Sequence, residues 1–150
     1  MELSTAKKIL KILGILSVIE GIFVLLIGVL GVFGFGATAT MPEVQANADY
    51  QTATGVLMIG SIVLIVAGIF TIVQGGFSIA ASKNGKHAMT ALVLSVITLI
   101  TTIYNNVSNF SSSGVTASSI FSLVISVIIS VVIIFAANTV RIAYKEGRDQ

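Results

Sequence analysis

The sequence has no cysteine and no tryptophan, a single proline and a single histidine, and charged residues make up only 9% of its 150 positions. Without cysteine there is no disulfide, no thiolate nucleophile, no thiolate metal site and no thioester-linked lipid. The lone His87 has no second imidazole with which to share a metal. No phosphate-cradling glycine loop, zinc-protease helix or nucleophile with histidine and acid partners is present, so the chain is expected to be neither an enzyme nor a cofactor binder. The shortage of charge excludes more. A soluble globule carries about 25% charged residues, whereas 55% of this chain is hydrophobic, too much for water. Its surroundings are expected to be a lipid bilayer, and a net charge of +2 gives no reason to expect a nucleic-acid partner.

The chain does have four long apolar runs, at about 9–33, 54–80, 88–104 and 117–138, each long enough to cross hydrocarbon as a helix. Backbone polar groups in lipid must be satisfied within the segment, and none of the runs contains proline, so the expected class is an all-α integral membrane protein, a bundle of four transmembrane helices. The start of the chain is similar to a signal peptide, with Lys7 to Lys11 as its basic region and Ala37-Thr38-Ala39 as a small-residue site. The apolar stretch from Ile12 to Phe35 exceeds the roughly 7–15 residues of a signal core, so it is expected to stay as the first span. Ser4 or Thr5 is a candidate cap for it.

Every Lys and Arg falls on one side of these runs. Lys7, Lys8 and Lys11 precede the first, Lys83 and Lys86 lie between the second and third, and Arg141, Lys145 and Arg148 follow the fourth. Basic residues are retained in the cytoplasm during insertion, which predicts that both termini are cytoplasmic, N-in and C-in. The lack of cysteine favours a prokaryotic plasma membrane. The connections then alternate. An outer loop runs from Ala37 to about Ala53, and a tight inner turn over Ser82-Lys83-Asn84-Gly85-Lys86 is expected to use Asn84-Gly85 at positive φ. A second outer loop runs from Asn105 to Thr116. This last loop holds two glycosylation sequons, Asn106-Val107-Ser108 and Asn109-Phe110-Ser111, which matter only in a secretory eukaryote.

Each run carries a stripe of small residues. Gly14, Ser17, Gly21, Gly28 and Gly31 follow three-and-four spacing on the first. Gly60, Gly68, Thr71, Gly75 and Ser78 do so on the second, Ala91, Ser95, Thr98 and Thr102 on the third, and Ser119, Ser122, Ser126 and Ser130 on the fourth. In lipid there is little hydrophobic drive between helices, so association depends on close van der Waals contact, which small residues permit. The stripes are therefore helix-packing seams, with left-handed crossings near about +20° expected, and Leu25 is placed on the lipid side. Gly21-Ile22-Phe23 with Gly28 is echoed by Gly68-Ile69-Phe70 with Gly75, either an internal repeat or a product of the Gly/Ile-rich vocabulary.

One ionisable residue, Glu20, sits near the middle of a span, where a charge is costly. It lies beside Ser17, Val24 and Gly31 on a helical wheel and is expected to point into the bundle, at a depth shared with Ser95, Thr98, Ser126 and Ser130. There it acts as a neutral clip between helices, as a proton or cation site, or as a contact to a partner protein. Gln74 is expected to bond another helix.

The stretch Gly75-Gly76-Phe77-Ser78-Ile79-Ala80-Ala81 with the basic turn after it, together with Leu13-Gly14-Ile15 and Gly21 to Gly28, resembles the membrane-spanning four-domain family. The Gly-Ile-Phe repeats are also similar to those of HdeD-type acid-resistance membrane proteins. Either resemblance implies an oligomerising or stress-linked membrane component and transfers no site residues. Two functions follow as expectations: an assembly or accessory tetraspan that forms homo-oligomers or binds other membrane proteins, and a small proton- or cation-coupled transporter or channel subunit using Glu20.

The cysteine-free background allows the topology to be tested in intact cells. Ser113→Cys should react with an impermeant maleimide from outside and Ser4→Cys only after permeabilisation. The reverse pattern would invert the assignment.

Overall fold

The computed structural model describes residues 1–113 and 116–148, and the side chains of 109–113, 119 and 122 are outside that description. The described residues form helices and no strand. Their order is α1 (Leu3–Ala39), α2 (Pro42–Gln45), α3 (Ala48–Lys83), a 3₁₀ turn (Gly85–His87), α4 (Ala88–Ser113) and α5 (Ala117–Lys145). Four stretches are long and apolar enough to cross a membrane: Leu3–Ala39, Ala48–Lys83, Gly85–Ser108 and Leu123–Lys145. The protein is thus an all-helical, multi-pass membrane protein.

The helices outrun the apolar runs that nucleate them. At about 1.5 Å per residue the 37 residues of α1 extend about 55 Å, well beyond a hydrocarbon core of about 30 Å. With no proline to stop it, α1 continues through Gly34 and Gly36 to Ala39. The expected outer loop shrinks to a short linker around α2, where Pro42 occupies the first turn, the position that tolerates a missing N–H. α4 likewise runs on through the Asn- and Ser-rich segment to Ser113. Asn106 Nδ2 returns to the Thr102 carbonyl at 2.8 Å. Of the expected second outer loop, only Thr116 is a described non-helical residue, and Gly114 and Val115 lie outside the described residues. Ser4 and Thr5 fall inside the first turn of α1 rather than capping it, because the helix already begins at Leu3.

The inner turn corrects a second expectation. Neither Asn84 nor Gly85 has positive φ, and the sole such residue among those described is Gly147 at φ 69°. Asn84 is extended (φ −143°, ψ 116°), and its Oδ1 accepts from the Lys86 N–H at 2.9 Å. A side-chain cap followed by one 3₁₀ turn reverses the chain, so no left-handed residue is needed. The left-handed residue is used instead to end α5. There the Arg148 N–H reaches the Ala143 carbonyl and the Gly147 N–H the Tyr144 carbonyl, the paired bonds of a glycine C-cap.

The chain divides into two compact units, Ser17–Val73 and the remainder. Within Ser17–Val73, α1 and α3 are antiparallel and meet at glycines. A Cβ on Gly21 would lie 2.8 Å from the Gly68 carbonyl oxygen, and one on Gly28 2.8 Å from that of Ser61. On Gly68 it would lie 2.6 Å from the Leu25 nitrogen. These are backbone atoms, which cannot swing aside. A step of seven on α1 is answered by a step of seven on α3, so one register is kept from contact to contact. Gly21 and Gly68, which open the two Gly-Ile-Phe triplets, face each other.

That register corrects two assignments. Seven residues before Gly68 is Ser61, which is 4% exposed, not Gly60, which is exposed with nothing within 4 Å of its Cβ position. Leu25 lies on the seam rather than on the lipid side, since its backbone nitrogen and Cβ abut Gly68.

In the other unit, Gly14 continues the device, its Cβ position lying 2.8 Å from the Gly75 carbonyl oxygen. The core there is mostly alanine. Ala6 and Leu10 of α1, Ala81 of α3, Ala88 and Ala91 of α4, and Ile133, Ala136, Ala137 and Val140 of α5 are all buried. Large residues face outward in both units, as with Leu30 at 70% and Phe33 at 73% exposed in Ser17–Val73 and Phe135 at 66% in the other. Small residues inside and large apolar residues outside invert the arrangement of a water-soluble protein and suit a lipid solvent.

Two glycines of one helix should therefore respond oppositely to one methyl group. Gly68→Ala should destabilise by about 1–3 kcal/mol through overpacking. Gly60→Ala should be neutral or stabilising, because it has open space and alanine is the better helix former by about 1 kcal/mol. Thermal unfolding in detergent compares them, and equal shifts would overturn the seam.

Candidate functional site

The polar side chains of the spans fall into those that return to their own helix and those that reach another. Most return. Ser61 bonds the Leu57 carbonyl at 2.9 Å, Thr71 that of Ala67 at 2.9 Å, Ser78 that of Gln74 at 3.0 Å and Ser95 that of Ala91 at 2.8 Å. Such bonds satisfy a hydroxyl in hydrocarbon without linking helices.

Gln74 links them. It is 4% exposed on α3, and its Oε1 accepts from Thr98 Oγ1 of α4 at 2.7 Å. Its Nε2 approaches Ser95 Oγ, also on α4, at 3.4 Å. Thr98 has one hydroxyl proton to divide between Gln74 and the Leu94 carbonyl at 3.0 Å. Four residues separate Gln74 from Ser78, whose hydroxyl also bonds the Gln74 backbone carbonyl, so both the main chain and the side chain of Gln74 are engaged. The amide is a neutral donor and acceptor facing two hydroxyls one α4 turn apart, which suits a structural clip.

The other expected members divide. Ser130 of α5 is buried at 5% and Ser126 is half-buried, and neither makes a side-chain hydrogen bond among the described residues. Ser119 and Ser122 fall among the side chains outside the description. Glu20 is not enclosed. It is exposed beside Gly21, the midpoint of α1, and it has no hydrogen bond or ion pair among the described residues. Its place on the helix explains this. Leu16, Phe23 and Ile27, one or two turns away on the same face, are exposed at 55%, 62% and 59%. The seam runs through Gly21, about 100° round the helix. Spacing to Ser17 and Gly31 put Glu20 at the seam's edge, and the packing leaves that edge outside.

Two features were not anticipated from the sequence. The alanine core at the basic end gives no polar or glycine signal, although Ala136-Ala137 is a sign of it. His87 packs its ring against Phe77, with centroids 6.1 Å apart and planes at 51°. Among the described residues no group of three His, Cys, Asp or Glu side chains is placed to hold a metal. Compared with models of known families, with curated proteins and with solved structures, the chain shows no match.

The clip is testable by a double-mutant cycle. Gln74→Leu and Thr98→Val should show a coupling of about 0.6–1.7 kcal/mol, the range of interhelical hydrogen bonds in membranes. Each hydroxyl keeps a carbonyl of its own helix, so neither single change should unfold the protein. Ser126→Ala should stay within about 0.5 kcal/mol of the parent in the same unfolding assay.

Proposed function

We propose that the chain is a non-enzymatic tetraspan that acts by assembly, docking the Glu20 face of α1 against a second copy of itself or another membrane protein, with both termini in the cytoplasm of a prokaryotic cell. The observation that carries this is Glu20, exposed at mid-helix among large apolar side chains and with no partner among the described residues of its own chain. In hydrocarbon an ionisable side chain costs about 2.5–3.5 kcal/mol on insertion scales. A neighbouring helix that offers it a hydrogen bond removes most of that cost. The orientation is supported by the distribution of charge: Ser17–Val73 contains Glu20, Glu43 and Asp49 and no Lys or Arg, so all the basic residues belong to the other unit.

The transporter alternative assigns Glu20 to an ion path, and one set of variants separates the two. Glu20→Leu should weaken self-association or partner capture about tenfold, the equivalent of about 1.4 kcal/mol, while Glu20→Gln should keep it. Dilution series followed by single-molecule photobleaching in vesicles measure this. A proton flux in pH-gradient proteoliposomes that Glu20→Gln abolishes, with unchanged oligomer size, would replace assembly by transport.

A further inference from the structure

At the basic end, the 3₁₀ turn and the start of α4 meet the last turns of α5 around a cleft of about 270 Å³. It is lined by Gly85, Lys86, Met89, Arg141, Tyr144 and Lys145. Three of these six are cations. None has an acidic partner among the described residues: the nearby Glu146 pairs with Arg148, and Arg141 makes a 3.5 Å contact with Asn138 Oδ1. Three like charges gathered from two separate segments make the cleft electropositive and favour an anion between them.

The end of α5 accounts for part of this charge. Arg141 and Lys145 complement the partial negative charge of a helix C-terminus. That argument does not extend to Lys86, which belongs to the turn opposite and stands near the N-terminal, electropositive end of α4.

The place of the cleft identifies the anion. Lys145 ends one candidate span and Gly85 begins another, so the cleft sits at the ends of two apolar helices, where a bilayer presents its headgroups. Its remaining walls are amphipathic. Met89 is 50% and Tyr144 46% exposed, an apolar side chain and an interfacial aromatic that suit the glycerol and upper acyl region of a lipid. The volume is below the roughly 300–1,000 Å³ of sites for drug-sized ligands and fits a headgroup phosphate. We infer that Lys86, Arg141 and Lys145 bind the phosphodiester of an anionic phospholipid whose acyl chains lie against Met89 and Tyr144. Basic pockets between helices at a membrane face recognise lipids by this chemistry.

The absence of tryptophan provides a clean reporter. The full-length chain carrying Ile142→Trp, beside the cleft on the exposed side of α5, is reconstituted in phosphatidylcholine vesicles, and brominated phosphatidylglycerol or brominated phosphatidylcholine is titrated in. Quenching by the anionic lipid should exceed that by the zwitterionic lipid several-fold at equal mole fraction. Arg141→Gln or Lys86→Gln should each reduce the preference by about fivefold, while Lys8→Gln, away from the cleft, should leave it unchanged. Circular dichroism confirms that each variant remains helical, and a second reporter, Ile62→Trp, should show no preference. Equal quenching by the two lipids would overturn the site. An equal loss with Lys8→Gln would assign the effect to diffuse surface charge instead. Reversal by millimolar inorganic phosphate would replace the lipid with a soluble phosphate compound. Both orientations in the vesicle report equally, so the outcome is independent of the topology and of the role of Glu20.

Discussion

Backbone-to-backbone contact between α1 and α3 is the constraint on which the rest of the structure depends. In lipid an exposed leucine loses little by staying exposed, so nothing drives helices together except contacts that lipid chains cannot match. A glycine pressed against a carbonyl is such a contact, because it brings two main chains within van der Waals reach over a long, regular track. Gly21 against Gly68 and Gly28 against Ser61 set the register in one unit, and Gly14 against Gly75 follows the same rule in the other. Once the glycines occupy the interface, the large residues have nowhere to go but outward. The exposure of Leu30 and Phe33 is a consequence of the seam as much as of the solvent.

The polar groups are arranged around that constraint. Hydroxyls at or near the seam bond the carbonyl one turn back on their own helix, which makes them small and electrically quiet. Gln74 has too many donors and acceptors to be satisfied in that way, and its contacts cross to α4. Glu20 has neither solution among the described residues. A carboxyl one residue off a glycine track cannot reach the facing backbone, and its neighbours on the face it occupies, Leu16, Phe23 and Ile27, are apolar. The same geometry that makes the seam tight therefore leaves Glu20 on the outward face of α1.

Hydropathy was enough to find the four spans, since a run of apolar residues without proline has few alternatives in lipid. The helix ends were not legible, because the stop signals expected in polar segments compete with a helix that costs little to extend into the interface. Asn105 to Ser113 reads as a loop by composition and is helical, with Asn106 bonding back to the Thr102 carbonyl of its own helix. Asn84-Gly85 has the letters of a left-handed turn, yet Asn84 caps instead. Composition does not distinguish these uses of asparagine. The glycine stripe on α1 was legible, but its partner line was displaced by one residue at Gly60, because spacing along one helix does not reveal which offset the facing helix adopts. Gln74 was recognisable as a cross-helix bonder, since an amide in a span has few other uses. The side of α1 on which Glu20 falls required the packing.

The glycine track has a consequence for how such a chain tolerates sequence drift. At Gly14, Gly21, Gly28 and Gly68 the smallest possible side chain is already too large for the facing main chain, and no compensating change opposite can make room, since a backbone cannot be trimmed. On the outward faces, Ile, Val, Leu and Phe are interchangeable to lipid. The specification of the fold is thus concentrated in a sparse, seven-spaced set of letters within otherwise exchangeable text, and distant descendants would share that rhythm long after they had ceased to share spelling.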